Sequence, residues 1–513
     1  MTPFVAPLND ILFSLHHIAH APLVAEWDYD FAAEIGKHFA GFAEGEIAPI
    51  NEIGDQEGCR LENGRVRLPS GCKEMYAAYC NQGWPSLTAP EEFGGQAQNA
   101  LILAMTSEIF SGANHSMQMV TGLVPGAIRT LMNFGTDAQK ARFLPSLASG
   151  EMLATMCLSE PAAGSDLSRI TCRGVLEEER WNIKGEKIFI SGGDQDMSDE
   201  ILHLVLARTS DNGVKGVSLF LCPSTKMDGT RNTINVTRIE EKMGLHASPT
   251  CQMLFDGAEA ELIGEEGRGL AAMFTMMNHA RGDVALQGVA HAARAYQIAS
   301  AYAADRVQGR MPDGLPARLD QHADVRRMLD VMDRYALFGR AMTHIAFVAL
   351  ERGDQAALVE FLTPLIKVYC TEAGMRSAEL GIQVLGGYGF LREYRIEQTY
   401  RDARITAIYE GANGIHKRML ATRMAQGPSS DAFEQVLIQE GIDTDVLERW
   451  QNIRAQTAKH ADPAGMAHLF TQVSIDAMQC VVHKRMSDCV NAHPDPDRIR
   501  RVLALDPEPW RGL

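Results

Sequence analysis

Along residues 30–47, 99–111 and 138–148, apolar positions recur every three or four residues, the repeat that lines one face of a helix. Gly and Pro punctuate these runs at Trp84-Pro85, Gly94-Gly95 and Val124-Pro125-Gly126. From about Met152 to Gly264 the runs shorten to TMCLS, RWNIKGEKIFIS, ILHLVLA, GVSLFLC, TINVTRI and CQMLFDG, with Gly, Asp, Asn or Pro between them. Alternation as in Trp181-Asn182-Ile183 predicts about seven strands joined by turns. With no long helix between them, these strands suit a small sandwich or barrel rather than βαβ units. After Gly264 long helical stripes return. One passes through Met273, Met277, Ala280, Val284, Val289, Ala293 and Tyr296 to about Arg306, and a second passes from Val325 to Ala349. A third helix is expected to start at Thr363 as cap, with Pro364 in its first turn, and to end at Gly386-Gly387.

This order predicts an α+β multidomain chain. Residues 1–152 form an N-terminal helical domain, 153–264 a middle β domain and 265–425 a C-terminal helical bundle. Past a hinge at Gln426-Gly427-Pro428-Ser429-Ser430, residues 426–513 form a helical extension. There is no internal repeat.

Charge narrows the partners. The 48 Lys and Arg stand against 65 Asp and Glu, a net charge of −17, which argues against nonspecific nucleic-acid binding. Ten cysteines with no CxxC pair signal neither a zinc ribbon nor a disulfide scaffold, and reduced thiols point to the cytoplasm. The first residues lack a basic region and Asp10 interrupts their apolar stretch, so no secretory signal is expected. No apolar run reaches the length of a membrane span. His16, His17 and His20 share helical spacing but have no evident carboxylate partner, so no metal is expected.

Four stretches could carry chemistry. Met156-Cys157-Leu158-Ser159-Glu160-Pro161-Ala162-Ala163-Gly164-Ser165-Asp166 ends a strand at a hydroxyl and continues in small residues. Its N–H and hydroxyl donors suit a ring with acceptor edges or a phosphate, although an ordinary turn has the same composition. Lys187-Ile188-Phe189-Ile190-Ser191-Gly192-Gly193 is a strand with an aromatic that ends in a hydroxyl, and it reads equally as a core strand and its turn. Gln383-Val384-Leu385-Gly386-Gly387-Tyr388-Gly389-Phe390 closes a helix without the strand and spacing of a dinucleotide fold. In Tyr409-Glu410-Gly411 a carboxylate follows an apolar stretch, which raises its pKa toward that of a useful base, although a lone Glu is more often a solvated surface group.

Together and in this order, over residues 30–425, the four stretches resemble those of the acyl-CoA dehydrogenase family: TEPGAGSD, a KxWITxG-type strand, QxxGGxG and RDA…YEG. The segments APLNDILFSLH, GDQEGCRLENG, GWPSLTAPEEFGG, EKMGLHASPTC and MFTMMNHARGDVALQG are similar to its 3-(methylthio)propanoyl-CoA dehydrogenase-like branch. The resemblance implies the family fold (helical N-domain, middle β-barrel or sandwich, C-terminal four-helix bundle) and FAD as cofactor. It also implies oxidation of an acyl-CoA thioester to the trans-2-enoyl form, with 3-(methylthio)propanoyl-CoA or a similar short chain as substrate. In that scheme Glu410 takes the α-proton while the β-hydride passes to flavin N5, and the enolate oxygen rests on the Glu410 N–H and a ribityl hydroxyl.

The same resemblance assigns the flavin to Met156, Leu158, Ser159, Ser165, Phe189, Ile190 and Ser191, with Phe189 in place of the usual Trp and Ser191 in place of Thr. Arg306 and Gln308 match the turn that meets the pyrophosphate of a neighbouring subunit's FAD, and Gln383, Gly386 and Gly387 match the adenosine contacts. Ala412 and Gly414 stand where the family has flavin-gripping Thr and Gln or Glu. Substrate contacts fall on Ser165, Asn278, Arg281 and Gly411, and for Arg281 an ordinary helix-surface salt bridge is the competing reading. The implied partners are an acyl-CoA, an electron-transfer flavoprotein and further copies of the chain as a homodimer or homotetramer, with no nucleic acid and no membrane. A same-fold acyl-CoA oxidase and a non-catalytic DNA-binding member remain as alternatives.

Overall fold

The computed structural model describes residues 2–505, so Met1 and residues 506–513 of the expected extension lie outside the described residues. The chain forms two compact units, one of Glu46–Gln98 and Asn114–Ala280, the other of Met1–Gly45, Asn99–Ala113 and Arg281–Leu513.

The first unit holds the seven strands that the short apolar runs predict: β1 (Met152–Cys157), β2 (Arg173–Glu177), β3 (Arg180–Ser191), β4 (Glu200–Arg208), β5 (Val217–Pro223), β6 (Ile234–Ile239) and β7 (Thr250–Ile263). Pairing runs β4–β2–β3–β7–β5 and returns from β5 to β4, so five strands close on themselves as a barrel. The parallel strand β1 flanks β4, and β6 flanks β7. Closure removes edges that would otherwise invite pairing with another chain. It also explains why β5 is buried throughout and apolar but for Ser218, whereas β6 starts by alternating buried and exposed positions. Between Lys187 and Ile190 the β3–β7 register shifts, a bulge that re-aims the side chains of Ile188 and Phe189.

The second unit is helical. Its elements include α1 (Leu8–Phe13), α2 (Ala100–Thr121, up to Ala113 in this unit), α3 (Gly269–Asp305, from Arg281), α4 (Ala323–Arg352), α5 (Ala356–Leu385), α6 (Asn413–Met419) and α7 (Pro496–Leu503). One core joins Ala295, Ile298 and Ala299 of α3 to Met328 and Met332 of α4 and Ala378 of α5. The α3–α5 crossing depends on two glycines. A methyl group on Gly288 would lie 2.4 Å from the Cys370 carbonyl, and one on Gly374 would lie 2.6 Å from that of Gly288. This approach brings the polar residues of α5 beside those of α3.

The third helix starts earlier than expected. α5 begins at Ala356, and Thr363 lies inside it with its hydroxyl donating to the Val359 carbonyl at 2.7 Å. Pro364 therefore interrupts the helix interior rather than opening it. Burial of Leu358, Phe361 and Leu362 on the upstream turns outweighs the backbone bond that the proline removes. Phe361 stacks on Phe433, which meets the buried Trp450, and this aromatic cluster seats the helices after Pro428 on α5.

A buried ion network ties the ends of the chain together. Arg498 of α7 donates two bonds to Asp10 of α1 (2.9 and 3.0 Å) and two to Asp333 of α4 (2.7 and 2.6 Å). Arg340 of α4 lies 3.6 Å from Asp10 and forks onto Glu108 of α2 at 2.6 Å. His493 Nδ1 accepts the Asp495 N–H at 2.9 Å, so the ring's proton sits on Nε2 and is donated to Asp10, also at 2.9 Å. Burial pushes the Asp10 carboxyl up, but His493, Arg498 and Arg340 together hold it well below the usual carboxylate range.

Candidate active site

Glu410 follows a short helical turn, Arg404–Ala407, and breaks from it with φ +53°, a left-handed backbone that a non-glycine residue rarely adopts. Gly411 continues the turn at φ +90°, where any side chain would be strained. Two side chains hold this corner by its carbonyls. His416 Nε2 donates to the Glu410 oxygen at 3.1 Å, and Lys367 Nζ donates to the Gly411 oxygen at 2.9 Å. Lys367 also donates to Asn413 Oδ1 at 2.9 Å, while the Asn413 amide donates to Thr371 Oγ1 and Glu372 Oε1, each at 3.1 Å. Lys417 pairs with Glu372 at 3.0 Å. On the α3 side, Tyr409 donates its phenol to Gln287, whose amide reaches Asp283 at 3.3 Å, and Ser107 bonds to Asp283.

The electrostatics of the corner suit a base. Burial pushes the Glu410 carboxyl up to about 7; Arg281 and Lys367 oppose the rise and Asp283 adds to it. Glu410 nevertheless keeps partial solvent access. Burial likewise draws Lys367 down to about 7, against the pull of Glu410. Arg281 is buried rather than spread on a helix surface, and its guanidinium is lowered by burial with the Glu410 charge opposing. Burial and the two nearby cations keep His416 neutral, down to about 3.

In the barrel unit, the end of β1 and the bulged part of β3 are stitched together. The Ile188 N–H donates to the Ser159 carbonyl at 2.9 Å, and Lys187 Nζ donates to the Leu158 carbonyl at 3.0 Å and to Glu160 at 2.8 Å. The Lys187–Glu160 pair is fully buried, and Glu160 takes three further bonds from Thr171 and Cys172. This scaffold presents Phe189 at φ +59° and 62% exposed, a strained aromatic held out of the core. Met156, Leu158, Ser159 and Ser191 are half-buried around these two segments. Ile190 is buried, so only its backbone can meet a ligand, and Ser165 lies on an exposed turn. An open aromatic face beside two hydroxyl residues on a braced backbone fits a flat heteroaromatic ring with acceptor edges, as a flavin has.

A third group gathers on the helical unit. The Arg306 guanidinium lies 5.7 Å from the Tyr388 ring centre, which brings the Arg306–Gln308 turn beside Gly386 and Gly387. All of these residues and Gln383 are exposed, as are Tyr388 and Phe390. Asn278 is exposed three residues before Arg281 on the same helix, and Gly414 is exposed while Ala412 is half-buried. The sequence had not marked Lys367, His416, Asp283 or the Lys187–Glu160 pair. Its one available signal was a lysine set in an otherwise apolar stretch, as in PLIKVYC. Among the described residues no cluster of His, Cys, Asp and Glu could hold a metal, and no helix is long and apolar enough to cross a membrane.

A carboxyl raised on a strained turn of the helical unit, and an exposed aromatic on the barrel unit, agree with what the resemblance implies for a flavin-dependent acyl-thioester oxidoreductase. Three family models match in order: the acyl-CoA dehydrogenase N-terminal domain over residues 32–151, the middle domain over 155–258 and the C-terminal domain over 267–425. The chain belongs to the acyl-CoA dehydrogenase family of oxidoreductases, whose cofactor is FAD. It is 40% identical to the 3-methylmercaptopropionyl-CoA dehydrogenase of Ruegeria pomeroyi over 92% of this chain and 86% of that protein. It is 32% identical to the broad-specificity linear acyl-CoA dehydrogenase FadE5 of Mycobacterium tuberculosis, over 88% of this chain and 80% of the other. Among solved structures, Caenorhabditis elegans ACDH-11 in complex with C11-CoA shares the fold with a TM-score of 0.83 at 20% identity, over 100% of this chain and 93% of that one.

Proposed function

We propose that this protein dehydrogenates a short-chain acyl-CoA thioester between its α and β carbons, with 3-(methylthio)propanoyl-CoA as the preferred substrate. Glu410 carries the proposal: a carboxyl raised to about 7 on a braced, strained turn has the basicity that abstraction of a weakly acidic α-proton demands. The likeness to the Ruegeria pomeroyi enzyme supports the choice of substrate.

Glu410 takes the α-proton, and the closing acyl chain excludes the water that reaches its carboxyl in the free protein. The peptide N–H of Glu410 donates to the thioester oxygen as charge gathers there. FAD, when bound, supplies the acceptor for the β-hydride. Phe189, the backbone at Met156, Leu158 and Ile190, and the hydroxyls of Ser159 and Ser191 hold its ring. Arg306 and Gln308 meet the pyrophosphate, and Gln383, Gly386 and Gly387 the adenosine, of a neighbouring subunit's FAD in a homo-oligomer. Peptide groups at Ala412 and Gly414 complete the cofactor contacts. Asn278, Ser165, Arg281 and Gly411 bind the CoA ester, and electrons leave to an electron-transfer flavoprotein.

The test is a panel of acyl-CoA thioesters with a dye acceptor. The methylthio and short straight chains should give the highest kcat/KM, whereas a preference for long chains, or no turnover of any thioester, would refute the proposal.

A further inference from the structure

The corner that carries Glu410 is costly to hold. A left-handed backbone is unfavourable for an L-residue, so its surroundings must over-determine it. Lys367 is one of the groups that do so, and its setting is unusual for a lysine. It is fully buried on α5 between the buried Ile366 and Val368, where an uncompensated ammonium is expensive. A buried charge is usually paired with an opposite one. Both of its hydrogen bonds go instead to neutral oxygens, the Gly411 carbonyl and Asn413 Oδ1, while the nearby Glu372 bonds to Lys417 and the Asn413 amide. The Asn413 amide, turned by Thr371 and Glu372, aims its oxygen at Lys367 and fixes the ammonium against the turn.

We propose that Lys367 is a positioning residue for proton abstraction, holding the Glu410–Gly411 turn through the Gly411 carbonyl so that the Glu410 carboxylate meets the α-carbon. The inference rests on Glu410 being the base. His416 secures the other carbonyl of the same turn and stays neutral, whereas Lys367 carries a charge below about pH 7. The charged and titratable groups around the carboxyl are Arg281 and Asp283 of α3, Lys367 and Glu372 of α5, Tyr409 of the turn, and His416 and Lys417 of α6. Of these, Arg281 and Lys367 favour the ionised carboxylate, so removing Lys367 moves the Glu410 titration to higher pH.

The test compares Lys367→Met, Lys367→Gln and Glu410→Gln in the full-length, flavin-loaded protein. Lys367→Met should lower kcat by roughly 30- to 100-fold, as expected for a reacting group misplaced by about 1 Å. KM should stay within about threefold, and the acid limb of kcat/KM should move to higher pH. Lys367→Gln keeps an amide donor for the Gly411 carbonyl, so it should recover kcat by about tenfold while the limb stays displaced. A Lys367→Met protein with wild-type kcat and an unmoved limb overturns the proposal. So does an equal loss in both variants that follows flavin content and Tm. If Lys367→Met does not fold, an undisplaced limb in Lys367→Gln overturns it alone. Turnover by Glu410→Gln would instead remove the base assignment beneath it.

Discussion

Glu410 illustrates how function can oppose stability at a single residue. Its carboxyl rises from an ordinary 4.5 to about 7, chiefly through burial, so the folded state favours the protonated form. That preference is fully present below the unfolded value and is lost as pH rises through about 7. Ionising the group in the fold therefore costs ~3 kcal/mol at most, which partial solvent access reduces to ~2 kcal/mol. Glu410→Gln should thus be more stable than wild type by ~2 kcal/mol at about pH 8, with the difference vanishing below the ordinary carboxylate range. Thermal unfolding at a series of pH values checks this, and equal stability at high pH would show that the carboxyl is not desolvated. The activity of the wild type has the opposite dependence, because only the ionised base accepts the proton. Its kcat/KM should fall about tenfold per pH unit below about 7.

At the scale of elements, the β3 bulge exposes the aromatic proposed to face the flavin. The bulge turns Phe189 outward, and the buried Lys187–Glu160 pair locks it to the end of β1. Burial works against the Glu160 carboxylate, but Lys187 and the Thr171 donors hold it below its usual range. Removing one partner leaves the other charge buried alone, which typically costs about 3–5 kcal/mol. Lys187→Met should lower Tm and release FAD during gel filtration, and full flavin retention would show that the pair does not brace the ring site. The strands were legible in the sequence because alternation and turn residues are local signals. The brace was not, because Lys187 and Glu160 are 27 positions apart and nothing along the chain pairs them. The same holds for Lys367 and Gly411, 44 positions apart. The start of α5 was missed for a related reason: Thr363 and Pro364 carry a local start signal that packing of Leu358, Phe361 and Leu362 overrides.

At the scale of the whole molecule, the order of helical, β and helical textures and four spaced motifs were enough to indicate the family, which three successive family models bear out. What that order could not convey is how the ends of the chain are fastened. Asp10, Asp333 and Arg498 meet in one buried network although 165 residues separate Arg498 from Asp333 and 488 separate it from Asp10. The extension thereby becomes part of the same unit as Glu410. The chain's negative charge is not reversed around Glu410, where Arg281, Lys367 and Lys417 gather beside Asp283, Glu372 and the carboxyl itself. Glu410 as the base of an acyl-CoA dehydrogenation is the central proposal. The most direct test is anaerobic mixing of the FAD-loaded protein with 3-(methylthio)propanoyl-CoA while visible flavin absorbance is followed. The wild type should bleach with formation of one enoyl thioester per flavin, and Glu410→Gln should bind the thioester yet stay yellow. Bleaching of Glu410→Gln at the wild-type rate, or none in the wild type, would contradict it.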